Sequence, residues 1–535
     1  MPIDTLARLV NARAASRLWA RDTTVFSAAS DPAVKDAILT RLGWLDAPAA
    51  MAARVPEIQQ LVREVRQDGL TQLCLLGMGG SSLCAEVLKD TLAAPELRES
   101  IHVLDTTDER AVRQASAALD PGRTLFIVAS KSGSTVEVTA LEAYFRAWAT
   151  PHTGTETGRH FIAITDPDTS LVAHAQRHHY RHTFINPADI GGRYSALSLF
   201  GLVPAALMDV SPAQLLERAV IMADACREDT LLNPGLALGV YIAAQAQQGR
   251  DKLTLLLPES MSALGLWIEQ LVAESTGKLG RGILPIVDEP SGHPSDFGAD
   301  RAFVLLTAPD AEEGTTWRAA LAAEGHPVFH LEATPAELGA EFFRWEFATA
   351  IAGAVLQVNP FDEPNVRDAK ARTMAILGGP RPLVVTPPLV PRNGVASRTH
   401  RPDAAATAET GTFVAILDYL PVDDRRAEAV ARVRTRLRER TGAATTHGLG
   451  PRYLHSTGQF HKGGTNTGLF LLLTAADATE TPVPGADYSF SVLKHAQALG
   501  DYEALVAANR HVIHYHVADP NADFSAVMES LLVRQ

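Results

Sequence analysis

Five short segments concentrate the side chains of this sequence that can do chemistry. In Ser130-Lys-Ser-Gly-Ser-Thr135, four hydroxyls, one ammonium and one glycine fall within six residues. An apolar run over 124–130 precedes it and a helical pattern over 135–148 follows, which puts it at the carboxyl edge of a buried strand. Ligands bind at that edge in open α/β folds. Small hydroxyls and the unpaired N–H groups of a helix start can enclose a phosphate monoester. The plainer alternative is a helix cap with surplus serines. Gly77-Met-Gly-Gly-Ser-Ser82 repeats the strand–turn–helix setting, which favours the ligand reading for both. It lacks the third glycine and the acidic ribose partner of a dinucleotide fingerprint.

Gly191-Gly-Arg-Tyr-Ser195 sets an arginine behind two glycines, where Arg193 can reach a cleft and stabilise developing negative charge. In Gln270-Leu-Val-Ala-Glu-Ser-Thr-Gly-Lys278, Gln270 and Glu274 lie four apart and share one helix side. Glu274 is a general base if its surroundings raise its pKa, and a solvated helix-end glutamate otherwise. Asn359-Pro-Phe-Asp-Glu-Pro364 leads into a helix that carries Lys370 two turns on. Spacing alone points that lysine towards water.

The elements that must position these residues follow from pattern. Unalternating apolar runs at 70–79, 101–105, 124–130 and 161–165 predict strands buried on both faces, with helices between them. A second set of runs falls at 253–257, 283–287, 302–307 and 328–331, with helices at 263–274 and 338–358. The fold class is therefore α/β, with two doubly wound parallel sheets. A helical stretch over 196–247 joins them. A third region holds strands at 413–420, 469–474 and 511–517 and a charged helix at 425–440. The predicted division is an N-terminal helical segment 1–55, a first unit 56–200, a helical connection 201–250, a second unit 251–377, a linker 378–411 and a smaller C-terminal α/β region 412–535. His455-Ser-Thr-Gly-Gln459 echoes Glu274-Ser-Thr-Gly-Lys278, so the last region is either a degenerate copy of the same unit or the bearer of a chance match.

A length of 535 residues calls for two or three domains, and 46% hydrophobic with 20% charged residues is an ordinary globular composition. A net charge of −13 argues against a nucleic-acid or anionic-membrane partner. Three cysteines without paired spacing fit a reducing compartment. No apolar run is long enough to cross a bilayer, and the Arg-bearing N-terminus also carries Asp4 and Asp22 and lacks a secretory core. A cytoplasmic protein is expected.

Taken in order, the five segments resemble the phosphoglucose isomerase family over residues 70–370. The strings Ser-Lys-Ser-Gly-Ser-Thr, Gly-Gly-Arg-Tyr-Ser, Glu-Ser-Thr-Gly-Lys and Asn-Pro-Phe-Asp-Glu-Pro carry the resemblance. The tail around His455-Ser-Thr-Gly-Gln-Phe-His-Lys-Gly-Gly464, with its Gly-Pro-Arg-Tyr lead-in, resembles the isomerase part of bifunctional transaldolase/glucose-6-phosphate isomerases. No transaldolase half precedes it here, so no aldol activity is expected. The resemblance implies two flavodoxin-like sugar isomerase (SIS) domains and interconversion of glucose 6-phosphate and fructose 6-phosphate, without cofactor or metal. It implies that Ser130, Lys131, Ser132 and Thr135 hold the phosphate and that Gly80 and Ser81 line the sugar side. Glu274 would move the proton between C2 and C1, and Arg193 would stabilise the cis-enediolate. Gln270 and Glu137 would position groups, and Lys370 with a histidine would open the ring. The family's histidine position falls at His293, and because it tends to come from the neighbouring subunit a homodimer is implied. Glu363 departs from the family's usual glutamine; its carboxylate would raise the pKa of Glu274 or pair with Lys370 or Arg193.

Other readings weigh less. His178, His179 and His182 have no carboxylate at useful spacing, and His514 and His516 share one strand face as a metal pair would, although exposed edge-strand histidines are commoner. His455 and His461 flank a Gly-rich loop and suggest that the C-terminal region closes the active site or a subunit interface. A non-catalytic sugar-phosphate sensor would not need Glu274, Arg193 and Lys370 together. An isomerase for mannose 6-phosphate would look much the same.

Overall fold

The computed structural model describes residues 2–26, 31–379, 395–400, 411–421 and 425–533. Three sheets result. The first holds β1 (Gln72–Gly77), β2 (Ile101–Leu104), β3 (Thr124–Ala129), β4 (Phe161–Thr165) and β5 (His182–Ile185), all parallel, in the order β2-β1-β3-β4-β5. The second holds β6 (Lys252–Leu256), β7 (Leu284–Ile286), β8 (Arg301–Thr307) and β9 (Val328–Glu332), in the order β7-β6-β8-β9. The third holds β10 (Val395–His400), β11 (Phe413–Tyr419), β12 (Ala444–Leu449), β13 (Gly468–Ala475) and β14 (His511–Val517), in the order β10-β14-β13-β11-β12. Its four later strands are parallel and β10 pairs antiparallel on β14.

Counting the parallel strands of each, every sheet winds outward from an inner first strand, so all three share one order: second, first, third, fourth. The third region is therefore built like the other two, but the shared string is not what shows it. Glu274-Ser-Thr-Gly lies between the first and second strands of its sheet, and His455-Ser-Thr-Gly between the second and third. The strings occupy different crossovers, so their likeness does not mark corresponding positions.

Central strands read from continuous apolar runs are buried, as in β3, where every residue of Thr-Leu-Phe-Ile-Val-Ala is inside, whereas the edge strands β2 and β9 are only partly so. Short β5 and polar β12 (Ala-Thr-Thr-His-Gly-Leu) gave no such run. The linker expected over 378–411 is a strand in part: β10 takes 395–400, whereas 380–394 and 401–410 lie outside the described residues. Because β10 covers β14, that strand is internal. His514 and His516 are buried rather than exposed, and both ring systems hydrogen-bond the Thr474 hydroxyl, at 2.8 and 2.9 Å. Among the described residues no group of three potential metal ligands converges, and no helix is long and apolar enough to cross a membrane.

The helical connection is three helices, Leu199–Leu207, Pro212–Ala225 and Pro234–Gln247. Two begin with proline behind a capping side chain, Ser211 for Gln214 N–H and Asn233 for Leu236 N–H. They share one hydrophobic core with the N-terminal helices, the inner faces of the first two sheets and the helix Leu338–Leu356. A second core joins the first sheet to the helix Phe490–Ala507 of the third region, and a third joins Ala273, Leu284 and Ile286 of the second to Phe413, Phe460 and Phe470. The third region thus packs against both others.

Candidate active site

The carboxyl edge of the first sheet lines a cleft of about 470 Å³, whose other walls are the C-terminal end of the helix Leu264–Thr276, the segment from Phe361 into the helix Pro364–Leu377, and His455 of the third region. Glu274 enters it from the end of the helix Leu264–Thr276. Its Oε1 lies 3.4 Å from Arg193 Nη1, and its Oε2 accepts a hydrogen bond from Gln270 Nε2 at 3.2 Å. The same Gln270 amide donates to the His455 carbonyl at 2.7 Å, while its own Oε1 is buried without a protein partner. That leaves an acceptor for a ligand hydroxyl. Burial raises the Glu274 pKa, Arg193 opposes the rise, and the like charge of Glu363 adds to it.

Arg193 is held rigidly. Its Nε donates to Ser275 Oγ (2.8 Å), Nη1 to Glu363 Oε2 (3.2 Å), and Nη2 to the carbonyls of Pro360 and Asp362 (both 2.8 Å). Every arm of the guanidinium is used, so its charge is fixed in direction before any ligand arrives. Glu363 therefore does both things expected of a carboxylate there: it pairs with Arg193 and it repels Glu274. Burial works against its ionised form, but Arg193 holds its pKa below the usual glutamate value.

The loop after β3 supplies the other end of the cleft. Lys131, Ser132 and Thr135 line it at the start of the helix Val136–Thr153. Gly133 has φ +66°, and a Cβ there would press on Thr169 at 2.6 Å, so only glycine fits. Ser130 is turned away. It lines a separate cavity of about 260 Å³ behind the loop and donates to Thr135 Oγ1 at 3.1 Å. Lys131 is ion-paired with Asp166, the residue after β4, and also donates to the Ala188 carbonyl at 3.3 Å. Gly80 and Ser81 form the facing wall, where a methyl on Gly80 would collide with the Gly192 carbonyl.

His293 is not in the cleft. It sits exposed on the loop after β7, where Nδ1 meets Ser295 Oγ at 2.7 Å and the backbone N–H donates to Asp296, capping a short helical turn. The histidine that the structure brings into the cleft is His455, from the same chain. Its Nε2 lies 2.9 Å from Glu137 Oε1. Glu137 does not face the main cleft but an adjoining, mostly apolar chamber of about 240 Å³, which Lys370 and His455 share with it. Gln497 Nε2 donates to the same carboxylate oxygen at 2.6 Å. Burial pushes Glu137 up, but the opposing pull of His455 dominates and its pKa falls below the ordinary value. Lys370 borders both spaces and remains exposed, so the water-facing expectation holds only for part of its surface.

Two cleft residues and one of the adjoining chamber had no motif to announce them. Asp166 follows an ordinary strand, Gln497 lies mid-helix in the third region, and Arg41 belongs to the N-terminal helical segment. Only the fold brings them to the site. For His455 a signal existed, in the density of Gly, His and Lys around it.

The fold and the cleft define a class: doubly wound α/β proteins whose cleft joins a glycine- and hydroxyl-rich loop at the carboxyl edge of the first sheet to a buried carboxylate–arginine pair. Residues 57–292 match the family model of phosphoglucose isomerase. It is 27% identical over 63% of its length to a glucose-6-phosphate isomerase of Carboxydothermus hydrogenoformans, spanning 85% of that protein. A glucose-6-phosphate isomerase of Thermus thermophilus is 29% identical, with 63% of this chain and 90% of that one matched. Among solved structures, a hypothetical protein of Thermus thermophilus superposes with a TM-score of 0.59 at 26% identity, over 70% of this chain and 97% of that one. The glucose-6-phosphate isomerase of Chlamydia trachomatis shares the fold, with a TM-score of 0.53 at 18% identity over 68% and 78% of the two chains.

Proposed function

We propose that the protein is a glucose-6-phosphate isomerase that works on the hexose 6-phosphate by proton transfer, in glycolysis and gluconeogenesis. The observation that carries this is the convergence, in one cleft, of a buried carboxylate, a fully bonded arginine and a carboxylate-backed histidine. Lys131, Ser132, Thr135 and the N–H groups at the helix start take the phosphate. His455, held by Glu137 and flanked by Lys370, exchanges a proton with the ring oxygen and the anomeric hydroxyl so that the ring opens. Glu274, with its proton affinity raised by burial, takes the C2 proton and returns it to C1. Arg193 faces the enediolate oxygens that carry charge between the two steps. Gln270 fixes the Glu274 carboxylate and offers its free oxygen to a sugar hydroxyl. This sequence needs no redox group and no metal ion.

The homodimer expectation rested on a histidine from a second subunit. His455 supplies that group from within the chain, so the cleft does not require a partner copy, and a dimer stands as a proposal for sedimentation analysis to decide. A cytoplasmic location is supported by the three buried free cysteines.

The test is a coupled assay of fructose 6-phosphate conversion with chelator present, comparing wild type with Glu274→Gln. Turnover that resists chelator and falls by about 10³-fold in the variant, with sugar-phosphate binding kept, supports the reading. Specific binding without turnover in the wild type would move the protein to the sensor class.

A further inference from the structure

The cleft lining carries more positive than negative side chains, yet nearly all of that charge is already spent. Arg193 is bound by Glu274, Glu363 and two carbonyls. Lys131, the one cation of the phosphate loop, is paired with Asp166. Lys370 lies on the far side, with Glu137 and His455. A phosphate dianion arriving at the loop therefore meets hydroxyls, N–H groups and a lysine whose charge a carboxylate cancels.

One cation on that wall is not committed. Arg41 lines the same cleft as Lys131, Asp166 and Ala188, and among the described residues its guanidinium donates only to the adjacent Thr40 carbonyl, at 3.0 Å. Its position is fixed by backbone. Leu42 forms an antiparallel bridge with Ile190, and Gly43 N–H donates to the Asp189 carbonyl at 2.9 Å. Next to the bridge, Trp44 is fully buried against Tyr194, with ring centroids 5.3 Å apart. The Arg41 stem packs over Gly191, whose missing Cβ would stand 3.7 Å from Arg41 Cδ. The field of its charge reaches both Asp166 and Glu363.

We infer that Arg41 is a phosphate-binding residue of this cleft, a guanidinium delivered by the N-terminal segment to the open side of the Ser130–Thr135 loop. A planar fork with free donors suits bidentate contact with a phosphate monoester. It also supplies the positive charge that Asp166 withdraws from Lys131. The inference rests on the sugar-phosphate reading above for the identity of the ligand, and it assigns a binding role to a segment that no motif marks.

The experiment uses the full-length protein and inorganic phosphate as probe, by titration calorimetry, alongside the kinetics of fructose 6-phosphate. Arg41→Gln should weaken phosphate binding and raise KM by about 10- to 100-fold, the range of a lost hydrogen-bonded charge, with the loss on KM rather than kcat. Arg41→Lys keeps the charge without the fork and should recover part of both. Asp166→Asn frees Lys131 and should tighten phosphate binding. A folded Arg41→Gln protein that binds phosphate within two-fold of wild type overturns the assignment. Phosphate binding that falls in Arg41→Gln, in a wild type that turns over no fructose 6-phosphate, keeps the assignment and overturns the isomerase reading instead.

Discussion

Glu274-Ser-Thr-Gly277 and His455-Ser-Thr-Gly458 deliver their first residue to the same cleft, but from opposite ends of helices. Glu274 closes the helix Leu264–Thr276, whereas His455 precedes the helix Gly458–Gly463. At a helix C-terminus a carboxylate meets the negative end of the backbone dipoles, a setting that favours the protonated form as burial does. His455 instead stands before a helix and is governed by a carboxylate from another unit, at 2.9 Å. The two serines differ in the same way. Ser275 Oγ receives Arg193, while Ser456 Oγ donates to the buried Glu269 at 3.3 Å. One string thus serves two chemistries, and what distinguishes them is which charged neighbour the fold brings up.

Breaking each half separately should give unequal losses. Glu274→Gln removes the group placed to carry the C1–C2 proton, and kcat should drop by roughly 10³- to 10⁴-fold. His455→Asn removes the proposed ring-opening acid and should leave the enediolate step intact, so a loss of about 10²-fold is expected. Equal losses in steady-state assays of the two variants would mean that both residues serve one step, and the division drawn here would be lost. A pH series sharpens the same contrast. Burial first, and Glu363 in addition, raise the proton affinity of Glu274, so the acid limb of kcat/KM should lie above the ordinary glutamate pKa. Glu363→Gln removes the like charge and keeps a partner for Arg193, so that limb should move to lower pH. An upward shift, or none, would deny the repulsion. The same raised pKa means that ionising Glu274 costs stability, which is lost as pH rises from the unfolded carboxyl value through the folded one.

Much of this contrast was legible in the sequence, for reasons that differ by residue. Unbroken apolar runs gave both sheets, because strands buried on both faces must be apolar. Short segments at strand and helix ends gave Lys131, Ser132, Thr135, Arg193 and Glu274, because their chemistry is crowded into adjacent residues. Ser130 was misplaced because alternate residues of a strand and its exit point to opposite sides, and the last strand-like residue faces the back cavity. His293 was chosen by position after β7, but the chain spends it on capping a turn, and the histidine that lines the cleft stands some 160 positions later. Arg41, Asp166 and Gln497 were out of reach because isolated residues acquire meaning only when distant elements pack. Polar β12 was missed for a related reason: neighbours bury Ala444 to Thr446, and its own sequence does not predict it.

The smallest effect tests whether the two segments form one device. Gln459 Nε2 donates to the Gly277 carbonyl at 3.0 Å and to Asn365 Oδ1 at 2.8 Å, and its Oε1 accepts the Asn365 N–H at 2.9 Å. It is buried, so it ties the end of the Glu274 helix, the start of the Lys370 helix and the His455 segment into one network. Backbone packing reinforces the tie, since a Cβ on Gly277 would strike Phe460. Gln459→Leu keeps the volume and strands the buried partners, a cost of about 1–3 kcal/mol that denaturant unfolding should show. If the network sets the geometry between base and acid, kcat should also fall by a few fold, while phosphate binding at the Lys131 loop stays at the wild-type value. A loss of stability with kcat unchanged would show that the segments are joined for folding alone, and that Glu274 and His455 keep their places through Gln270 without this second tie.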